Sequence, residues 1–234
     1  MNVLGSRATA QRALLEFAAR KLGDLGNEFV FLGGCATALF ITDPASPDVR
    51  STMDVDCIVD VMSLIDYYNV EQKLQERGFR KSSQDEVICR WHYDDLILDV
   101  MATDEKILGF SNRWYKAAIE HAIIYQLTED ICIRTVTAPY FLGTKFEAFY
   151  ARGKNDIMSH DFEDIIAVID GRVELMDEMI QTDPILRAYL ADAFSKMLMR
   201  DDFQMILPGL LNYGSVTYDR TQLVLERILH ICQD

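Results

Sequence analysis

The stretch Phe29-Val30-Phe31-Leu32-Gly33-Gly34-Cys35-Ala36-Thr37 opens as an apolar run, breaks at a glycine pair and resumes with small, helix-compatible residues. Four large apolar residues in a row, bounded by glycines, suit a short strand buried on both faces. Glycine at a strand-to-helix junction lets the backbone approach a phosphate closely and aims the first amides of the helix at it. Close packing of helix on sheet would account for the same pair. One loop later, Arg50-Ser51-Thr52-Met53-Asp54-Val55-Asp56 leads into a second strand-like run over 53–61. There Val55, Cys57, Val59 and Val61 share one face, and Asp54, Asp56, Ile58 and Asp60 share the other.

Outward from this centre, Leu14, Phe17, Ala18, Leu22 and Leu25 fall at helical spacing, which predicts a first helix over about 9–25 ending near Gly23 or Gly26. Strand 28–32 and helix 35–41 follow. Pro44 and Pro47 make 42–51 a loop. A helix is expected over 63–77, a strand over 79–82, and a hairpin of 87–93 with 96–102 turning at Asp94-Asp95. A short helix over 114–120 and a strand pair, 123–126 with 131–136, complete this part. After Pro139 the β-branched alternation ends. Helical spacing covers 140–152, 161–169, 173–181, 184–199, 203–211 and 217–232, punctuated by Gly153, Gly171, Pro184, Pro208 and Gly214. The reading is α+β: a mixed sheet with flanking helices over 1–138, then an all-helical bundle over 139–234.

Composition narrows the function. The 234 residues carry a formal charge of −14, which opposes broad attraction to nucleic acid or anionic membrane. No apolar run approaches the roughly 18 residues of a membrane span, and 1–21 has no apolar block before a small-residue cleavage site. Five scattered cysteines without a C-x-x-C pattern argue against a disulfide framework and for a reducing cytoplasm.

The alternation of Asp54 and Asp56 carries the chemistry. Residues two apart on a strand point the same way, so two carboxylates converge without further design. Hard oxygen donors suit magnesium, which can bridge phosphate oxygens. On the expected second hairpin arm, Asp99 stands between apolar neighbours and would add a third acid, able to take the proton of an attacking hydroxyl. Thr37 or Cys35 could add a side-chain contact to phosphate. Arg50 is a candidate on the nucleotide side, with tethering of its loop to Asp54 or Asp56 as the simpler role. Lys145 and Arg152, seven apart, share a helix face, and Asp161 opens a helix whose dipole would stabilise it without any function. Trp91, His92 and Tyr93 could stack a base or pack in a sheet.

Leu32-Gly33-Gly34, then Asp54-Val55-Asp56-Cys57, then Leu98-Asp99-Val100 resembles the hG[GS]…[DE]h[DE]h…h[DE]h signature of the nucleotidyltransferase superfamily related to DNA polymerase beta. More narrowly, Gly33-Gly34-x-x-Thr37-Ala38-Leu39, Arg50-x-Thr52-x-Asp54-x-Asp56, and Lys145-x-x-Ala148-x-x-x-Arg152 followed by Asp161-x-x-Asp164-Ile165 is similar to the AbiEii-type nucleotidyltransferases, toxin components of toxin-antitoxin systems. The resemblance covers roughly 29–169. It implies magnesium held by Asp54, Asp56 and Asp99, a triphosphate cradled by Gly33 and Gly34, Lys145 on the phosphates, and Asp161 or Asp164 as the late acidic motif. It further implies an NTP substrate, a helical bundle that closes over the nucleotide, and an antitoxin partner. Gly34 stands where many members have serine. The acceptor would be tRNA, protein or an aminoglycoside-like cation, and a non-catalytic module on the same fold is the rival reading.

Overall fold

The computed structural model describes residues 6–211 and 217–233; Gly214 lies outside them. In chain order come α1 (Ser6–Leu22), a 3-10 segment (Gly23–Glu28), β1 (Phe29–Leu32), α2 (Gly33–Phe40), β2 (Asp54–Val59), α3 (Leu64–Glu76), β3 (Arg90–Tyr93) and β4 (Leu96–Ala102). Then follow α4 (Glu105–Leu108), α5 (Tyr115–Glu120), β5 (Ile123–Gln126), β6 (Cys132–Thr135), α6 (Ala138–Ala151), α7 (His160–Gly171), α8 (Leu175–Gln181), α9 (Pro184–Leu198), α10 (Asp201–Leu210) and α11 (Thr217–Gln233). The fold is α+β, as the hydrophobic periods predict. Where sequence and structure differ, local chemistry explains it. Gly23, at φ +53°, ends α1 earlier than Leu25, and the strand expected over 79–82 is reduced to one bridge between Arg80 and His92.

Six strands form one sheet in the order β3-β4-β2-β1-β6-β5. β2 runs antiparallel to β1 and parallel to β4, while β3 and β5 close the two edges as antiparallel partners of β4 and β6. The β3–β4 hairpin turns at Asp94-Asp95, with Asp94 at φ +50°. Polar short-chain residues tolerate that conformation best after glycine. Phe29, Val30, Phe31 and Leu32 are all buried, which is why β1 reads as a continuous apolar run.

Two compact units interleave along the chain. The sheet unit consists of Thr9–Ala36 with Ser51–Thr137; the helical unit takes the start of α1 through Ala8, Thr37–Arg50, and the chain from Ala138 onward. The sheet unit contains both tryptophans, Trp91 and Trp114, each buried. Ser63 caps α3, accepting a hydrogen bond from the Asp66 amide, and the buried Tyr67 hydroxyl donates to the Val100 carbonyl at 2.9 Å. In the helical unit, Phe146 meets Phe194 edge-on at 4.8 Å and Phe162 meets Phe203 at 6.1 Å. Its loop over 42–48 is fastened by amides: Thr42 and Asp43 both donate to the Gly171 carbonyl at 2.9 Å. Arg220 donates to Asp170 and to Asp43 at 2.7 and 2.9 Å. Among the described residues no helix is long and apolar enough to cross a membrane, and no disulfide is formed.

Candidate functional site

Strand register places the carboxylates. In the parallel β2–β4 pair, Asp54 lies opposite Ile97 and Asp56 opposite Asp99. Paired residues on neighbouring strands point to the same face, so Asp54, Asp56 and Asp99 share one side of the sheet. Asp54 and Asp56 are half-buried and Asp99 is 6% exposed. Leu32 pairs with Asp56 at the end of β1, and the next residue, Gly33, begins α2 at φ +74°. A Cβ added to Gly33 would stand 1.9 Å from Asp56 Oδ2, 2.5 Å from Cγ and 2.6 Å from Cβ. Asp56 therefore lies directly over the glycine turn, and any side chain at Gly33 would fill its space. Gly34 is buried.

Arg90, on β3, was not singled out in the sequence. It pairs with Asp99 across the hairpin, and its guanidinium donates from Nε to Asp99 Oδ1 at 2.9 Å and from Nη2 to Oδ2 at 2.7 Å. The same Nη2 reaches Asp54 Oδ2 at 3.4 Å. Hydrogen bonding to Asp99 holds the Arg90 guanidinium above its usual range against the opposing effect of burial, with the charges of Asp99 and Asp54 adding to it. Thr52 donates its hydroxyl to Asp54 Oδ1 at 2.5 Å. Beneath this face, burial pushes the Cys57 thiol well up, and the charges of Asp56 and Asp99 add to it. Cys57 is thus a packing residue rather than a nucleophile.

The donor set fits magnesium in part. Asp54 and Asp56 supply hard oxygens on one face, which suits a divalent cation. The full three-carboxylate set does not fit, because both Asp99 oxygens accept from Arg90. Among the described residues no group of three or more His, Cys, Asp or Glu side chains is placed to hold a metal ion.

The helical unit gathers the other sequence candidates into an ion-pair network. Lys145, 4% exposed on α6, places its ammonium 3.0 Å from Asp161 and 2.7 Å from Asp164 of α7. Arg152 forks Asp161 with two bonds of 2.9 Å, and Arg50 forks Asp164 at 2.8 and 3.0 Å. Burial works to raise the Asp161 carboxyl, but the hydrogen bond and charge of Arg152 and the charge of Lys145 outweigh it and hold the group at about 2. Arg50, a candidate on the nucleotide side with a tether to Asp54 or Asp56 as the simpler role, forks Asp164, while Thr52 and Arg90 hydrogen-bond Asp54. Thr37, in α2, is fully buried and its hydroxyl meets no hydrogen-bond partner among the described residues. Trp91 is fully buried in the sheet, so packing explains it. A separate cavity of about 420 Å³, walled by Phe146, Phe149, Tyr150 and Met197, contains none of the sequence-predicted residues.

No protein-family model matches the chain, and no curated protein matches it in sequence. Solved structures do. JHP933 from Helicobacter pylori is 12% identical with a TM-score of 0.53, over 98% of this chain and 94% of that one. An antigenic nucleotidyltransferase-like protein from Paracoccidioides brasiliensis is 20% identical with a TM-score of 0.52, over 92% of this chain and 99% of that one. The chain shares its fold with these two proteins, the second of which is described as nucleotidyltransferase-like. At these identities the likeness is one of fold, and residue roles rest on the geometry above.

Proposed function

We propose that this chain is a magnesium-dependent nucleotidyltransferase that moves a nucleoside monophosphate from an NTP to an acceptor hydroxyl. The observation that carries the reading is the arrangement on β2: Asp54 and Asp56 alternate on one face, and Asp56 is packed over Gly33 at the start of α2. Asp54 and Asp56 would hold magnesium, which when bound offsets negative charge on the triphosphate. Gly33, whose missing side chain admits Asp56 over the turn, and Gly34 would bring the first amides of α2 toward the triphosphate, where the helix dipole favours an anion. Thr52 fixes the orientation of Asp54 through its hydrogen bond. In the transfer, the acceptor oxygen forms a bond to the α-phosphorus as the bond to pyrophosphate breaks, and the hydroxyl proton passes to a carboxylate. Asp99 must give up its fork with Arg90 to take that proton. Lys145, Asp161 and Asp164 we assign to holding α6, α7 and the 42–50 loop together rather than to the phosphates.

Net charge bears on the acceptor. At −14 the protein suits a cationic acceptor, such as an aminoglycoside-like small molecule, better than tRNA, with a protein hydroxyl between the two. The AbiEii-type motifs keep a toxin with an antitoxin partner within the proposal. The Arg90 fork favours one rival, a non-catalytic module that keeps the fold. Incubation with each labelled NTP, magnesium, and separate pools of tRNA, protein and aminoglycosides separates the two. Label transfer by the wild type, abolished in Asp54→Ala and Asp56→Ala, is expected; NTP binding without transfer in any pool would favour the module, and neither binding nor transfer would sink both.

A further inference from the structure

The sheet face carries a cation that the carboxylate pattern in the sequence does not include. Arg90, Asp99 and Asp56 stand in one row across β3, β4 and β2, because Arg90 pairs with Asp99 and Asp99 with Asp56. A guanidinium fork takes both carboxylate oxygens in one plane, with hydrogen bonds stronger than neutral ones. Here it takes both oxygens of a carboxylate that is 6% exposed. A divalent cation at Asp99 would have to displace the guanidinium or sit against its positive charge, and like charges at such separations repel strongly away from bulk water. Arg90 also reaches Asp54 at 3.4 Å, so its charge is shared along the face rather than confined to one pair.

We propose that Arg90 is a resident counter-ion of this face: it occupies the position a second divalent cation would take at Asp99, and leaves Asp54 and Asp56 to hold a single ion. The inference rests on the reading of Asp54 and Asp56 as the metal-binding pair. Arg90 is then a positioning residue. It limits the number of bound cations and holds both Asp99 oxygens in its fork without touching substrate. Replacing it with a neutral side chain frees Asp99 for a second ion, and replacing it with lysine keeps a positive charge at the same place.

The test is metal binding by the full chain, measured without nucleotide. Manganese(II) is titrated while free ion is followed by electron paramagnetic resonance, and circular dichroism confirms the fold. Wild type and Arg90→Lys are expected to bind one ion, Arg90→Gln two, and the double variant Arg90→Gln/Asp99→Asn one again. The first ion should bind about tenfold more tightly to Arg90→Gln than to wild type, as expected for removing a nearby like charge. Two ions in the wild type would overturn the proposal while keeping the metal reading of Asp54 and Asp56. A stoichiometry and affinity in Arg90→Gln equal to the wild type's would do the same. Absence of manganese binding in every protein would sink the metal reading itself and the proposal with it. If Arg90→Gln fails to fold, wild-type stoichiometry decides: one ion supports the counter-ion, two exclude it.

Discussion

Gly33→Ala is the sharpest single perturbation of the site. Two costs add. A non-glycine residue at φ +74° sits in the left-handed region, at about 1–2 kcal/mol. The new methyl would also meet Asp56 at 1.9 Å from Oδ2, 2.5 Å from Cγ and 2.6 Å from Cβ. The carboxylate can rotate away, but Cβ cannot move without the β2 backbone. Overpacking of this kind costs about 1–3 kcal/mol, giving a total of about 2–5 kcal/mol. The assay is urea unfolding followed by tryptophan fluorescence, because Trp91 and Trp114 are the only two tryptophans and both are buried in the sheet unit. Asp56→Gly removes the clash and leaves the backbone cost. A double-mutant cycle should therefore show a coupling of about 1–3 kcal/mol, whereas Asp56→Ala, which keeps Cβ, should relieve much less. A loss under about 1 kcal/mol for Gly33→Ala, or no coupling with Asp56→Gly, would refute the close approach of Asp56 to the turn.

Two further outcomes concern the helical unit. Lys145→Met should destabilise it by about 3 kcal/mol, the lower end for breaking a buried ion pair, because Asp161 and Asp164 each keep a guanidinium fork. Far-ultraviolet circular dichroism is the readout, and a change under about 1 kcal/mol would place the network near solvent. The Asp161 carboxyl is held at about 2 against its usual 3.8. A depressed carboxyl stabilises the fold fully above the unfolded value and loses that contribution as pH falls through the folded one. The stability difference between wild type and Asp161→Asn should therefore be constant above pH ~4 and shrink toward pH ~2, by on the order of 2 kcal/mol in all. A difference that stays flat across that window would contradict the assigned cause.

Much of the sheet was legible because its signals are local. The continuous apolar run of β1, the alternation of β2 and the Asp94-Asp95 turn each depend on neighbours in sequence. The shared face of Asp54, Asp56 and Asp99 follows from side-chain alternation once β2 and β4 are side by side. Arg90 was equally available. Counting outward from the turn pairs Tyr93 with Leu96, His92 with Ile97, Trp91 with Leu98 and Arg90 with Asp99, so hairpin register alone puts a cation beside the third acid. Arg50 was not available in the same way. It stands four residues before Asp54, yet its fork is with Asp164, 114 positions on, and no local period announces such a partner. Likewise nothing local tells that the proline-bearing loop over 42–50 is held by Gly171, Asp170 and Arg220.

That loop decides how the molecule can be taken apart. A single cut near residue 138 looks natural from composition, yet the piece 139–234 would lack Arg50, Asp43 and Ser46. Asp164, 1% exposed, would keep Lys145 but lose its guanidinium fork, and Asp170, fully buried, would lose the Ser46 hydroxyl. The amides that occupy the Gly171 carbonyl at the end of α7 would be missing as well. A transplant of the helical half onto another protein must therefore carry the 37–50 segment with it.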